Sequence, residues 1–156
     1  YLAQRDFAVE AVDRDRAGLA LLAEVPGVHT TCADLEGAPW PYHGARFDGI
    51  VVTNYLHRPL FPMLREALRP GGVLIYETFM LGNERFGRPS NPDFLLRPGE
   101  LLDWLADTTT VVAFEQGEET LPRPAVVQRI CAVGGSEATR VRLPPPGDAA
   151  GAANRG

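Results

Sequence analysis

Three segments of this chain put polar side chains at the end of an expected strand. Asp13 follows the run at residues 7–12, Asp34 comes just after Val28–Cys32, and Asn54, Tyr55 and His57 follow Phe47–Thr53. Asp13 stands where a strand hands over to a helix. In nucleotide-binding α/β sheets an acid there accepts hydrogen bonds from both hydroxyls of a ribose. The same residue also suits a surface turn, or a helix cap shared with Asp15. Ligands of open α/β sheets gather beyond the carboxyl ends of the strands, so Asn54, Tyr55 and His57 are expected to face a site. His57 is the candidate to take a proton near neutral pH, and Tyr55 the candidate to wall or stack beside it. Farther on, Arg85 and Arg88 could hold an anionic group through bidentate hydrogen bonds.

The elements that must position these residues are legible in the pattern. Residues 1–5 read as the end of a helix and 7–12 as a strand. Asp15 caps a helix reaching about residue 24, with Leu19, Leu22 and Ala23 on one face, and Val25-Pro26-Gly27 ends it. Val28–Cys32 is a second strand. Residues 37–46 hold two prolines and two glycines and cannot be regular structure. Phe47–Thr53 is a third strand and 59–68 a helix, with Leu60, Met63, Leu64 and Ala67 at helical spacing. Arg69-Pro70-Gly71-Gly72 then stops that helix in a tight turn, because Pro cannot continue it and Gly supplies the left-handed conformation. Residues 73–76 are apolar without alternation, which predicts a strand over 72–78 buried on both faces of a parallel sheet. The loop at 79–97 exceeds the roughly 12 residues beyond which loops are usually functional or disordered. Pro98 opens a helix to about residue 106, with Glu100 in its first turn. Strands at 109–115 and 125–133 are close enough to pair antiparallel. The Pro-, Ala- and Gly-rich stretch at 136–156 is expected to be a disordered tail on a single domain spanning 1–135. The alternation predicts an α/β fold with a doubly wound, mostly parallel sheet, helices on both faces and an antiparallel terminal strand.

The helix, Pro-Gly-Gly and strand junction within Leu68–Phe79 strongly resembles the one before the fifth strand of class I S-adenosylmethionine-dependent methyltransferases. The antiparallel last pair is the distinctive ending of that Rossmann-like fold, and the resemblance covers residues 1–135. It implies S-adenosylmethionine as cofactor and methyl transfer as activity. It assigns Asp13 and its neighbour Arg14 to the cofactor's ribose, and Asp34 to the adenine amino group, with the Leu35 amide at a ring nitrogen. Asn54 falls beside the methionine part. The loop from Glu84 to Leu96 resembles methyltransferases of the tellurite-resistance type, which implies a small-molecule acceptor held by Arg85 and Arg88. A soft acceptor such as sulfur, selenium or tellurium needs no strong base.

The resemblance also implies an element these residues lack. That element is the family's first strand and its glycine-rich turn, whose backbone amides approach the cofactor. Gly71-Gly72 precedes a strand instead of following one, and the chain opens on Tyr1. A fragment or processed product is therefore expected, one that binds cofactor weakly. The strands holding Val9 and Ile50 should then expose apolar edges, or residues 9–12 should pair directly with 50–53.

Composition removes other classes. A net charge of -5 argues against a general nucleic-acid or anionic-membrane surface, which needs clustered positive charge. The 15 basic residues are all Arg, the mark of a GC-rich coding sequence. Cys32 and Cys131 read as small buried hydrophobes in strands, so no disulfide or metal site is expected. No run approaches the ~18 apolar residues that span a bilayer, and no secretory signal is visible, so the cytoplasm is the expected location. Nothing in the sequence fixes an oligomeric state. Two other readings compete. In a nicotinamide-dependent oxidoreductase fragment Asp13 would serve equally well, but there is no Tyr-x-x-x-Lys pair and no Lys at all. In a non-catalytic methyltransferase-like module the chain would only bind a partner.

Overall fold

A computed structural model describes residues 1–135; the tail expected to be disordered lies outside the described residues. The chain divides into two units. One comprises Tyr1–Arg46 with His57–Ala67, and the other comprises Phe47–Leu56 with the chain from Leu68 onward.

In the first unit β1 (Val9–Asp13) and β2 (Val28–Cys32) pair in parallel, Val9 opposite Val28 and Asp13 opposite Cys32. The helix between them, α1 (Arg16–Ala20), is shorter than expected and gives way to turns before Gly27. Asp15 caps it by accepting the Ala17 amide at 2.9 Å. Only Leu19 of its expected apolar face is buried. A 3-10 turn at Arg58–Leu60 leads into α2 (Phe61–Ala67), which buries Phe61, Leu64 and Ala67 while Met63 stays exposed.

The second unit is a sheet in the order β3-β4-β6-β5, built from β3 (Phe47–Thr53), β4 (Leu68–Phe79), β5 (Thr109–Glu119) and β6 (Ala125–Gly134). β3 runs parallel to β4, and β6 runs antiparallel to both β4 and β5. The terminal antiparallel pair is thus formed as the sequence predicts, and the sheet is mixed. Among the described residues β1 pairs only with β2 and β3 only with β4, so the direct pairing of residues 9–12 with 50–53 is not formed.

The Pro-Gly-Gly segment does its work inside the strand instead of before it. Leu68 already pairs with Phe47, and the ladder resumes at Val73 opposite Gly49. Arg69 to Gly72 therefore bulge out of register. Gly71 sits at φ 78°, and a side chain at Gly72 would lie 3.0 Å from the Arg69 carbonyl and 3.1 Å from that of Phe47.

One face of this sheet is the core. In register, Leu74 and Ala132, Tyr76 and Ile130, and Thr78 and Gln128 are all buried. The Tyr76 ring meets Trp104 edge-on at 5.9 Å, and its hydroxyl donates to the Tyr55 carbonyl at 2.8 Å. α3 (Glu100–Leu105) packs on β5 and β6 with Leu101 and Leu105 fully buried. Its cap is Gly99 at φ 73°, with Pro98 one residue outside. The free amides at its start are taken up by side chains from the sheet. Gln128 accepts from Leu101 N at 2.7 Å and donates to the Arg97 carbonyl at 3.1 Å, while Gln116 accepts from Gly99 N at 2.9 Å.

The opposite face corrects the expectation that β4 is buried on both sides. Ile75 is 44% exposed and its β3 neighbour Val51 is 55% exposed. An unbroken apolar run shows that a strand can be covered twice, but the cover must come from other elements, and on this face it reaches Val127 and Val133 of β6 and leaves Ile75 and Val51 open.

Candidate functional site

In the first unit Asp13 and Asp34 are brought to the same end of two adjacent parallel strands. The Ala33 amide donates to the Asp13 carbonyl at 3.0 Å and ties the two strand ends together. Both carboxylates are exposed, and each folds back on its own turn. Asp13 Oδ1 accepts from Asp15 N at 2.9 Å, and Asp34 Oδ1 accepts from Glu36 N at 2.9 Å. Each Oδ2 faces no donor among the described residues. The helix cap is Asp15 alone. Arg14 is exposed beside Asp13, and its carbonyl lies 3.8 Å from Cys32 Sγ. Leu35 is half-buried. His57, also half-buried, precedes the Arg58–Leu60 turn and accepts the Leu60 amide at its carbonyl at 3.0 Å.

Cys32 corrects its expected burial: it is exposed, because β2 buries none of its residues. Cys131 is half-buried, and desolvation pushes its thiol pKa up. Both thiols are free, and no group of metal-binding side chains occurs among the described residues. The irregular segment at 37–46 has more order than its composition suggests. Trp40 and Tyr42 meet edge-on at 5.4 Å over a hollow of about 240 Å³. Desolvation raises the Tyr42 pKa, a hydrogen bond with Thr31 opposes that, and the charge of Glu10 adds to it.

The second unit holds a larger pocket of about 890 Å³ at the carboxyl end of β4. Of the residues singled out in the sequence, Asn54 and Arg88 line it. Asn54 ends β3 in the left-handed region at φ 53°, held there by its amide donating to the Glu77 carbonyl at 2.9 Å. Asn adopts this conformation readily. Tyr55 is half-buried, its carbonyl engaged by Tyr76. Arg85 is not on the pocket wall. Its guanidinium pairs with Glu118 at 3.0 Å and donates to the Gly82 carbonyl at 3.0 Å.

Sequence reasoning missed Glu77, Glu119 and Arg123 on the same wall. The two acids are gathered by Arg129 of β6. It pairs with Glu119, lies 2.9 Å from Glu77 through Nε without aiming that N–H at the carboxylate, and reaches Glu115 at 3.6 Å. Desolvation opposes the Arg129 charge, but the Glu119 hydrogen bond and the fields of Glu77, Glu119 and Glu115 outweigh it and raise its pKa. The one local signal was Pro122-Arg123-Pro124 as a turn between two strands. Nothing local says that this turn meets the end of β4.

Neither a protein-family model nor a curated protein sequence matches the chain. Solved structures do. TehB from Haemophilus influenzae superposes with a TM-score of 0.66 at 17% identity over 81% of this chain, which spans about half (49%) of TehB. A SAM-dependent methyltransferase from Methanosarcina mazei gives 0.63 at 15% identity, covering 85% of this chain and 84% of that one. The glycopeptide N-methyltransferase MtfA, complexed with S-adenosyl-L-homocysteine, gives 0.55 at 16% identity over 85% of this chain and 76% of its own. The chain therefore has the class I S-adenosylmethionine-dependent methyltransferase fold, with the sheet order and antiparallel ending described above.

Proposed function

We propose that this chain belongs to an enzyme that transfers a methyl group from S-adenosylmethionine to a small-molecule acceptor. The observation that carries this reading is the placement of Asp13 and Asp34 at the carboxyl ends of adjacent, in-register parallel strands. Two carboxylates so placed, each with an oxygen free of protein donors, fit the hydroxyl and amino groups of adenosine. Asp13, with Arg14 alongside, would hold the ribose. Asp34 would accept from the adenine amino group, and the Leu35 amide would meet a ring nitrogen. Asn54 would face the methionine part. When bound, S-adenosylmethionine supplies an electrophilic methyl group.

The chain's own contribution is then to orient the acceptor and exclude water, which accounts for most of the rate gain in such a transfer. His57 is the group proposed to take the acceptor's proton where the acceptor has one to lose, and Tyr55 the wall beside it. No Gly-x-Gly occurs in residues 1–156. The backbone donors that the family's glycine-rich turn would supply are not replaced by these carboxylates, so weak cofactor binding is expected of these residues alone.

Ultraviolet cross-linking with methyl-tritiated S-adenosylmethionine at millimolar concentration tests the reading. Label should enter the protein, be competed by S-adenosylhomocysteine and not by a nicotinamide dinucleotide, and fall sharply in Asp13→Ala and Asp34→Ala. Label that survives both substitutions, or that the dinucleotide displaces equally well, would overturn it.

A further inference from the structure

The pocket of the second unit is lined by two acids and two arginines. Glu77 and Glu119 share Arg129 with Glu115, and Arg85 pairs with Glu118. Arg88 and Arg123 line the same pocket, and neither forms an ion pair among the described residues. A guanidinium stays charged throughout the working pH range and offers a planar fork of N–H donors that matches a carboxylate or phosphate. The rest of the wall is apolar, with Phe79, Pro122 and Val127 among its residues.

The backbone around the two arginines is already restricted. Arg88 precedes Pro89, and Arg123 lies between Pro122 and Pro124. A residue before proline is confined to extended conformations, so little backbone freedom remains to be lost on binding. One buried side chain also fixes both segments. Asn83 donates to the Pro89 carbonyl at 3.1 Å and accepts from the Val126 amide at 3.1 Å. The first bond holds the turn carrying Arg88, and the second holds the start of β6 just after Arg123.

We propose that this pocket takes a small amphipathic anion, a carboxylate or phosphate on an apolar body, with Arg88 and Arg123 on the anionic group. On the methyl-transfer reading, on which this assignment of a role rests, that molecule is the acceptor. Arg123 replaces Arg85 in the pair that the sequence suggested, and Asn83 is a positioning residue for both arginines.

The 156-residue chain, without cofactor, is titrated with phenylacetate, phenyl phosphate and the neutral phenylacetamide. Amide shifts of Asn83 and Ala125 are followed by nuclear magnetic resonance. The anions should bind at least about tenfold more tightly than the amide. Arg88→Gln and Arg123→Gln should each weaken phenylacetate by about three- to tenfold, and Arg85→Gln by less than about twofold. Both pocket arginines are exposed, so the variants should melt with the parent. A preference for phenyl phosphate over phenylacetate identifies the anion as a phosphate, and the reverse identifies a carboxylate. Equal binding of amide and anions, or a loss at Arg85→Gln as large as at Arg88→Gln, overturns the proposal. Because no cofactor is present, anion binding without cofactor cross-linking would sink the methyl-transfer reading and leave the pocket standing. Cross-linking without anion preference would do the opposite.

Discussion

β4 buries alternate side chains and β6 buries all its residues but Arg129 and Cys131, whereas β1, β2, β3 and β5 bury none. Content of Val, Ile and Ala does not set the contrast, since β1 has three such residues in five and β4 two in twelve, so it comes from what lies over the strands. β4 and β6 share a core face with α3 and with Leu95 and Leu96, which are themselves fully buried. Stability therefore sits in β4, β6 and the elements packed on them. The carboxylates expected to meet a cofactor stand on strands that contribute little to it. Parts that bind ligands are commonly drawn from the less stable end of a structure.

Urea denaturation of two variants would break or sharpen this contrast most visibly. Leu101→Ala removes a fully buried side chain from α3 and should cost about 3 kcal/mol. Val51→Ala, on the open face of β3, should cost less than about 0.5 kcal/mol. Similar costs for the two would mean that the open face is covered in solution. A second pair compares polar contacts. Gln128→Ala strands the buried Leu101 amide and should cost about 2 kcal/mol. His29→Ala breaks an exposed 2.8 Å pair with Glu10 and should cost well under 1 kcal/mol, as is typical of surface pairs (~0–1 kcal/mol). Asp15→Ala removes the α1 cap, and a loss of about 1 kcal/mol is expected if β1, α1 and β2 melt with the rest. No change in the global transition would show that they melt separately.

The smallest effect concerns the thiols. Burial raises the Cys131 pKa, so its contribution to stability is complete below the ordinary thiol range and is lost as pH rises through the raised value. Iodoacetamide at mildly alkaline pH should therefore label the exposed Cys32 before Cys131, and peptide mass spectrometry reads the order.

Much of the fold was legible in the sequence because local chemistry fixes it. Val28–Cys32 and Phe47–Thr53 begin and end where the sequence pattern places them, and the turn residues between 115 and 125 left an antiparallel pair as the simplest course. What stayed hidden depends on distant partners. Whether β4 is buried once or twice is decided by elements remote in sequence. Arg85 was grouped with Arg88 by proximity, yet Glu118 takes it out of the pocket from 33 residues away. Arg123 and Glu119 reach the pocket only because β6 lies beside β4, bringing the β5–β6 connection to the end of that strand. The carboxylates at Asp13 and Asp34 were the opposite case, since the end of a strand can be read from the strand itself.

The most direct test follows backbone amides of the isotope-labelled 156-residue chain during titration with S-adenosylhomocysteine. Shifts should appear at Asp13, Arg14, Asp34 and Leu35, saturate only in the ~1 mM range, and disappear in Asp13→Ala. Shifts confined to other residues, or saturation at ~1 μM, would contradict the account: the first would misplace the cofactor, and the second would show that these residues need no glycine-rich turn to hold it.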